Sequence, residues 1–384
     1  MIYVYRSLYF IFYLIPFIGF GQGVCVSGDS LFLLQNYPAA TEAYKRCINE
    51  DTSSVSVRLS LARCYDQLGD WAKAKTFYHE LEYTGNAEVV SRLAAIYDAQ
   101  QNLPKAIKYY RKLETLFPGN PQYPRKLGAL YLAGHEQGQA FLSYQQALKI
   151  APEDVTSIIG LAEMMYQMDD LDGSDSLVQI GLGLDSMFFG LAYLNSRILY
   201  RKKNYVGAAR QLLFLASNTD LPLAYNNLLG YSLIQTDSFD KAVFYLRRTL
   251  QKEPKNEYAL FYLGLAFEKK NDFNEAMYFF QEAAKAGISE NMHLFYQGQA
   301  RINNRKGMYQ EVIKAYQKSL EYKFEPEMYL YMAGAAESAY KNKSKAIQFY
   351  KKFLEHPSVD EEKIKLAKGR LSYLQEKKFM EGNK

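Results

Sequence analysis

Apolar and polar positions from Gly28 onward follow a helical period, and the whole pattern restarts about every 34 residues. Leu260-Phe261-Tyr262-Leu263-Gly264 repeats Asn226-Asn227-Leu228-Leu229-Gly230, with the two glycines 34 residues apart. Twelve residues after each glycine comes an alanine, Ala276 and Ala242. Backwards, the first small position continues at Ser196, Ala162, Gly128, Ala94, Ala62 and Gly28, every step being 34 except the 32 between Ala62 and Ala94. Forwards it reaches Gly298 and then Gly334, a final step of 36. Within each interval, apolar residues three and four apart predict two short amphipathic helices joined by a polar turn, such as Gly69-Asp70 or Asn271-Asp272. Pro118, Pro152 and Pro254 follow second helices, where a missing N–H and a fixed φ stop helix growth.

A unit of this kind cannot bury its apolar face alone. Gly or Ala at the paired small positions lets two helix backbones approach, and an aromatic one turn later fills the groove beside them. Neighbouring units then stack into a continuous ribbon of core. Leu127, Gly128, Tyr131, Ala140, Tyr144, Ala147 and Pro152 in one unit, and Leu263, Gly264, Phe267, Ala276, Phe280 and Ala283 in another, carry a specific resemblance. The chain resembles tetratricopeptide repeat (TPR) proteins. The resemblance implies an all-α, right-handed α-solenoid of about ten helix-turn-helix units. In the ninth unit Gln297, Arg301 and Val312 depart from the pattern, and two extra residues are expected in its turn, around Asn303 to Gly307.

The ends differ from the array. Residues 1–24 place Arg6 before an uncharged run from Leu8 to Phe20, followed by small residues, the order of an export signal cleaved near Gly21–Gln22. An uncleaved anchor is the alternative, and the only expected route to membrane contact. Residues 359–384 contain Ile364, Leu366, Ala367, Leu371 and Leu374 among charges, which reads as a helix capping the open end. The expected organisation is thus 1–21 signal peptide, 22–358 repeat array and 359–384 cap and tail. Exported location, in the periplasm or cell envelope of a Gram-negative bacterium, follows as an expectation.

Composition narrows the chemistry. A net charge of +5 spread over 384 residues is too dilute for a nucleic-acid-binding stripe. His79, His135, His293 and His356 are scattered, with no metal-ligand or catalytic spacing. The run Asp169-Asp170-Leu171-Asp172-Gly173-Ser174-Asp175 holds hard oxygen ligands but falls in the phase of an inter-helix turn and lacks a distal Glu. Cys25, Cys47 and Cys64 allow one bridge in an oxidising compartment, Cys47–Cys64 or Cys25–Cys47. The repeats and cap leave no room for a catalytic domain, so no enzyme activity, cofactor or metal is expected.

Tyrosine is abundant, 34 residues against a single tryptophan, and the repeat's aromatic positions absorb most of it. TPR resemblance implies a concave surface lined by first helices at four-residue spacing. That gives Tyr193, Arg197 and Tyr200, then Asn227 and Tyr231, Phe261 and Leu265, Phe295 and Gln299, and Tyr331. Such a strip suits a protein or peptide partner, because Tyr and Phe bring large contact area at low entropy cost. No Lys accompanies Asn227 at the spacing of a carboxylate clamp. The alternative function is a structural subunit of an envelope or membrane-associated assembly, held by its edges or by an uncleaved N-terminal anchor, with no groove ligand.

Overall fold

The computed structural model describes residues 25–287, 290–356 and 360–382, and no β-strand occurs among them. The residues divide into two compact units, one ending at Met164 and the other beginning at Met165. The expected export signal lies outside the described residues.

Backbone chirality sets the turn inside the first nine repeats. Gln35, Gly69, Gln101, His135, Asp169, Lys203, Asp237, Asn271 and Gly307 all have positive φ, between 54° and 72°. Each stands five residues before the second small position. This one left-handed residue ends the first helix, and the next residue caps the second. The side chains of Asn36, Asp70, Asn102, Asp170, Asn204 and Asp272 accept a hydrogen bond from the amide three residues on. The left-handed region costs an L-residue about 1–2 kcal/mol. Lys203→Gly is therefore expected to stabilise the fold by about 0.5–1 kcal/mol. Urea denaturation checks this, and an unchanged or lower midpoint would reject turn strain at that position.

In the N-terminal unit, α1 (Val26–Leu33) packs with α2 (Tyr37–Glu50) and α3 (Val55–Gln67) with α4 (Trp71–Glu80). Next α5 (Ala87–Ala99) packs with α6 (Leu103–Leu116) and α7 (Gln122–Ala133) with α8 (Gln137–Ile150), and α9 (Val155–Gln167) carries the boundary, its residues from Met165 on belonging to the C-terminal unit. The short 32-residue step has a local cause. Helix α4 stops at Glu80, and a 3-10 turn, Glu82–Thr84, closed by Gly85 at φ 66°, replaces its last turn. A Cys25–Cys47 disulfide ties the start of α1 to α2. Of the two pairings the sequence left open, it excludes Cys47–Cys64. Cys64 is a buried free thiol whose pKa burial pushes up.

The C-terminal unit opens with α10 (Leu171–Leu184) and continues through α11 (Phe189–Arg201), α12 (Tyr205–Asn218), α13 (Leu223–Gln235) and α14 (Phe239–Lys252). Then come α15 (Glu257–Lys269), α16 (Phe273–Ala286), α17 (Met292–Arg305), α18 (Tyr309–Tyr322), α19 (Glu327–Ala339), α20 (Ser344–Glu355) and α21 (Glu361–Gly382). Close approach at the small positions is literal. A Cβ on Gly230 would lie 2.5 Å from Leu246, and one on Gly264 would lie 2.6 Å from Phe280. First helices also touch across repeats, α13 against α15 and α15 against α17.

Two assignments of the repeat frame need correction. A Cβ on Gly298 would meet Phe280 of the preceding repeat at 2.8 Å, the relation Gly160 has to Tyr144, two residues before the small position Ala162. The small position of the ninth unit is therefore Ala300, fully buried and twelve residues before Val312. Its two extra residues lie before α17 and not in the turn, since Asn303 to Arg305 are helical. In the tenth unit Gly334 is exposed while Ala333 is fully buried, so Ala333 is the small residue. The extra length there falls in the longer link between α19 and α20.

Candidate partner-binding face

The first helices of the C-terminal unit present one face built by a recurring contact. The residue one after the small position rests on the residue four after it in the preceding repeat. The Arg197 guanidinium lies over the Tyr166 ring at 4.2 Å, and the Tyr231 ring sits 5.6 Å from Tyr200. Arg301 grips Glu268 by donating from Nε to Oε1 at 3.0 Å and to Oε2 at 3.3 Å, and from Nη2 to Oε2 at 2.9 Å. The same relation joins Arg370 of α21 to Glu337 of α19. A second contact runs from three before the small position to the next first helix, Tyr193 to Tyr225 at 4.4 Å and Phe261 to Phe295 at 5.3 Å.

Tyrosines concentrate at the centre of this face. Tyr231 contacts Tyr200, Tyr205 and Tyr262 with ring centroids 5.0–5.7 Å apart. Burial raises the pKa of Tyr200, Tyr231 and Tyr262, and the neighbouring phenols add to it, apart from the hydrogen bond with Tyr262, which lowers that of Tyr200. Burial, with the Asp220 charge, does the same for Tyr193. All four remain neutral hydrogen-bonding groups over the physiological range.

The structure sorts the residues expected on this strip. Tyr193, Arg197, Tyr200, Tyr231, Phe261 and Leu265 are half-buried. Asn227 is buried, and its Nδ2 donates to Asn256 Oδ1 at 2.9 Å. Phe295 is only 1% exposed and belongs to the core. The physical reason is the insertion before α17, which moves every first-helix position of that repeat by two residues. Gln297 and Arg301 occupy the places of Phe261 and Leu265. Gln299 instead turns its Nε2 towards the Phe280 carbonyl at 3.4 Å. Tyr331 is exposed and stacks on Tyr316 at 5.5 Å, one position beside the row. Sequence reasoning thus missed Gln297, Arg301 and Glu268. Their signal was present, because Gln297 and Arg301 break the apolar pattern only if Gly298 is taken as the small position.

Other candidate chemistry resolves into structure. Asp170 caps α10, Asp169 receives Arg201 Nη2 at 2.5 Å, and Lys202 bridges Asp172 and Asp175 at 2.8 and 2.7 Å. Protein cations, and at Asp170 a backbone amide, therefore occupy the carboxylates that a calcium ion would need. Among the described residues no group of three or more His, Cys, Asp or Glu side chains could hold a metal ion. His79 joins the Tyr97 hydroxyl at 2.7 Å and Glu82 at 3.1 Å. Burial opposes ionisation of Glu82, yet hydrogen bonds from Lys112, His79 and Tyr109 bring its pKa down to about 2. His135 is a turn residue, His293 is buried, and His356 lies edge-on to Phe324. No described helix is long and apolar enough to cross a membrane.

Comparison with known proteins agrees with the repeat geometry. Sequence profiles described as tetratricopeptide repeat match residues 57–83, 89–120 and 227–291. The bovine (Bos taurus) BBSome complex member BBS4 is 25% identical over 323 residues, covering 78% of this chain and 59% of that protein. Its mouse (Mus musculus) counterpart is 25% identical over 260 residues, covering 67% of this chain and 49% of that protein. The chain thus spans about half the length of the curated relatives it matches. Among solved structures, YrrB, a TPR protein with an unusual peptide-binding site, aligns with TM-score 0.43 at 15% identity, covering 50% of this chain and 97% of that one. With helix pairs, left-handed turns and small positions recurring in one phase, the chain is a tetratricopeptide repeat protein. Such repeats make it a scaffold for protein–protein interaction.

Proposed function

We propose that this scaffold is exported and holds an extended peptide or partner helix against the first-helix face of its C-terminal unit, within a cell-envelope assembly. The carrying observation is the row Tyr193, Arg197, Tyr231, Phe261 and Leu265, half-buried and continuous across three repeats. Rings already fixed by their neighbours lose little freedom on binding, and their exposed edges give contact area with adjacent polar groups. Arg197, held over Tyr166, adds a cation whose position is set in advance. The Cys25–Cys47 disulfide supports an oxidising compartment, in keeping with the signal-like residues 1–24. The role carries no catalytic step and no cofactor.

Photo-crosslinking of the full chain in its native envelope tests this reading. A photoreactive residue at Tyr193 or Leu265 is expected to give one discrete adduct. The same residue at Tyr278, exposed on the second helix α16, is expected to give none. Adducts equally strong at Tyr278, or absent from both face positions, would reject the groove. As a check on specificity, alanine at Tyr193, Arg197 and Tyr231 together should abolish the adduct at Leu265 with helicity unchanged.

A further inference from the structure

The last helix, α21, is related to the first helix of a repeat. Arg370 bonds Glu337 as Arg301 bonds Glu268, which makes Gly369 its small position. In an internal repeat such as the eighth, Leu260, Leu263 and Phe267 face that repeat's own second helix and are buried. In α21 the corresponding residues are Lys365, Lys368 and Ser372, all exposed. The surface that would receive a second helix has therefore turned polar.

The surface that meets the next first helix has not turned polar. Three before and four after the small position stand Leu366 and Tyr373, 57% and 51% exposed. With Glu362, Gly369 and Met380 they form one stripe at spacings of three, four and seven residues. This stripe lies about 100° around the helix from Ala367 and Leu374, which are 0% and 2% exposed where α21 packs on α20. Leu366 and Tyr373 thus stand on a face left exposed among the described residues. Arg370 packs over the Tyr373 ring at 5.3 Å and fixes it there. Nothing within 4 Å would meet a Cβ on Gly369, so a second backbone has room to approach at that point.

We propose that this stripe pairs with the same stripe of a second copy, antiparallel, joining two chains through their C-terminal helices. The charge order selects the partner. Helix α21 is acidic at its start, with Glu361 and Glu362, and basic towards its end, with Lys377 and Lys378. Antiparallel pairing that sets Leu366 against Tyr373 of the second copy also sets Glu362 against the second copy's Lys377, twice by symmetry. A parallel pair would set like charges together. A helix of 22 residues gives a contact about 33 Å long, at the small end of stable interfaces, so association is expected in the micromolar range.

Light scattering on the eluting full chain tests the pairing. The wild type is expected to run as a dimer at micromolar concentration. Glu362→Lys and Lys377→Glu should each weaken association about tenfold or more, because each sets like charges face to face. Mixing the two single variants should restore a dimer, since every facing pair is then opposite in charge. That recovery separates a broken interface from a misfolded chain, and circular dichroism of each variant gives the second control. A monomeric wild type, or a dimer indifferent to both charge reversals, would overturn the proposal. So would cosedimentation of monomeric wild type with phosphatidylglycerol vesicles that Leu366→Glu abolishes, because the stripe would then belong to a lipid surface.

Discussion

Phe280→Ala is expected to destabilise the C-terminal unit by about 3–5 kcal/mol and to break the cooperativity of unfolding. Phe280 is fully buried, and its ring fills the space left by two glycines at once, Gly264 of its own repeat and Gly298 of the next. It also contacts Phe261 at 5.8 Å. Alanine leaves a hole that neither backbone can close, because both helices already stand at contact distance. Stability in an array is a sum of repeat terms and nearest-neighbour interfaces, so damage at one interface stays local. The single tryptophan, Trp71, reports the N-terminal unit alone. In urea the circular-dichroism transition should shift and broaden while the Trp71 fluorescence midpoint stays near the wild-type value. A parallel shift of both signals would show that the chain unfolds as one body and that local coupling fails here.

The period was legible because it rests on first small positions that take only Gly, Ala or Ser. A larger side chain at Gly230 or Gly264 would overlap Leu246 or Phe280, so the small positions stand out in the sequence however much the rest varies. The left-handed turn was less legible. Gln101, His135, Lys203 and Asp237 adopt it without being glycine, and only the invariant spacing to the next small residue marks it. The frame slipped in the ninth unit because both Gly298 and Ala300 are small and buried, and periodicity at 34 prefers the wrong one. What separates them is which second helix each one touches, a relation between repeats that spacing cannot express. The same slip turned Phe295 into a surface residue and hid Arg301. The disulfide shows a similar limit. Cys64 and Cys25 were both plausible partners for Cys47, and the choice depends on how α1 enters the fold.

Arg301→Ala is expected to cost about 2–3 kcal/mol, more than Glu268→Ala at about 1 kcal/mol, although both remove one interaction. The asymmetry follows from exposure. The Glu268 side chain is 10% exposed and that of Arg301 is 39% exposed. Losing Arg301 strands a carboxylate away from water with its best donor gone, whereas losing Glu268 leaves a guanidinium that water and the Phe280 ring, 5.9 Å away, can still solvate in part. Leucine at both positions should recover most of the loss, because the charge and its partner leave together and the methylenes still pack. Equilibrium denaturation of the two alanine variants and of the double leucine variant measures these three costs. Equal costs for the two alanines would mean that water reaches Glu268 in solution. A double variant no better than Arg301→Ala would mean that the pair contributes through packing and not through charge. The same set of variants bears on binding, because Arg301 and Glu268 lie at the end of the row that includes Phe261 and Leu265. If a peptide lies along that row, Arg301→Ala should weaken its capture, and the adduct at Leu265 should fall further than the adduct at Tyr193, two repeats away.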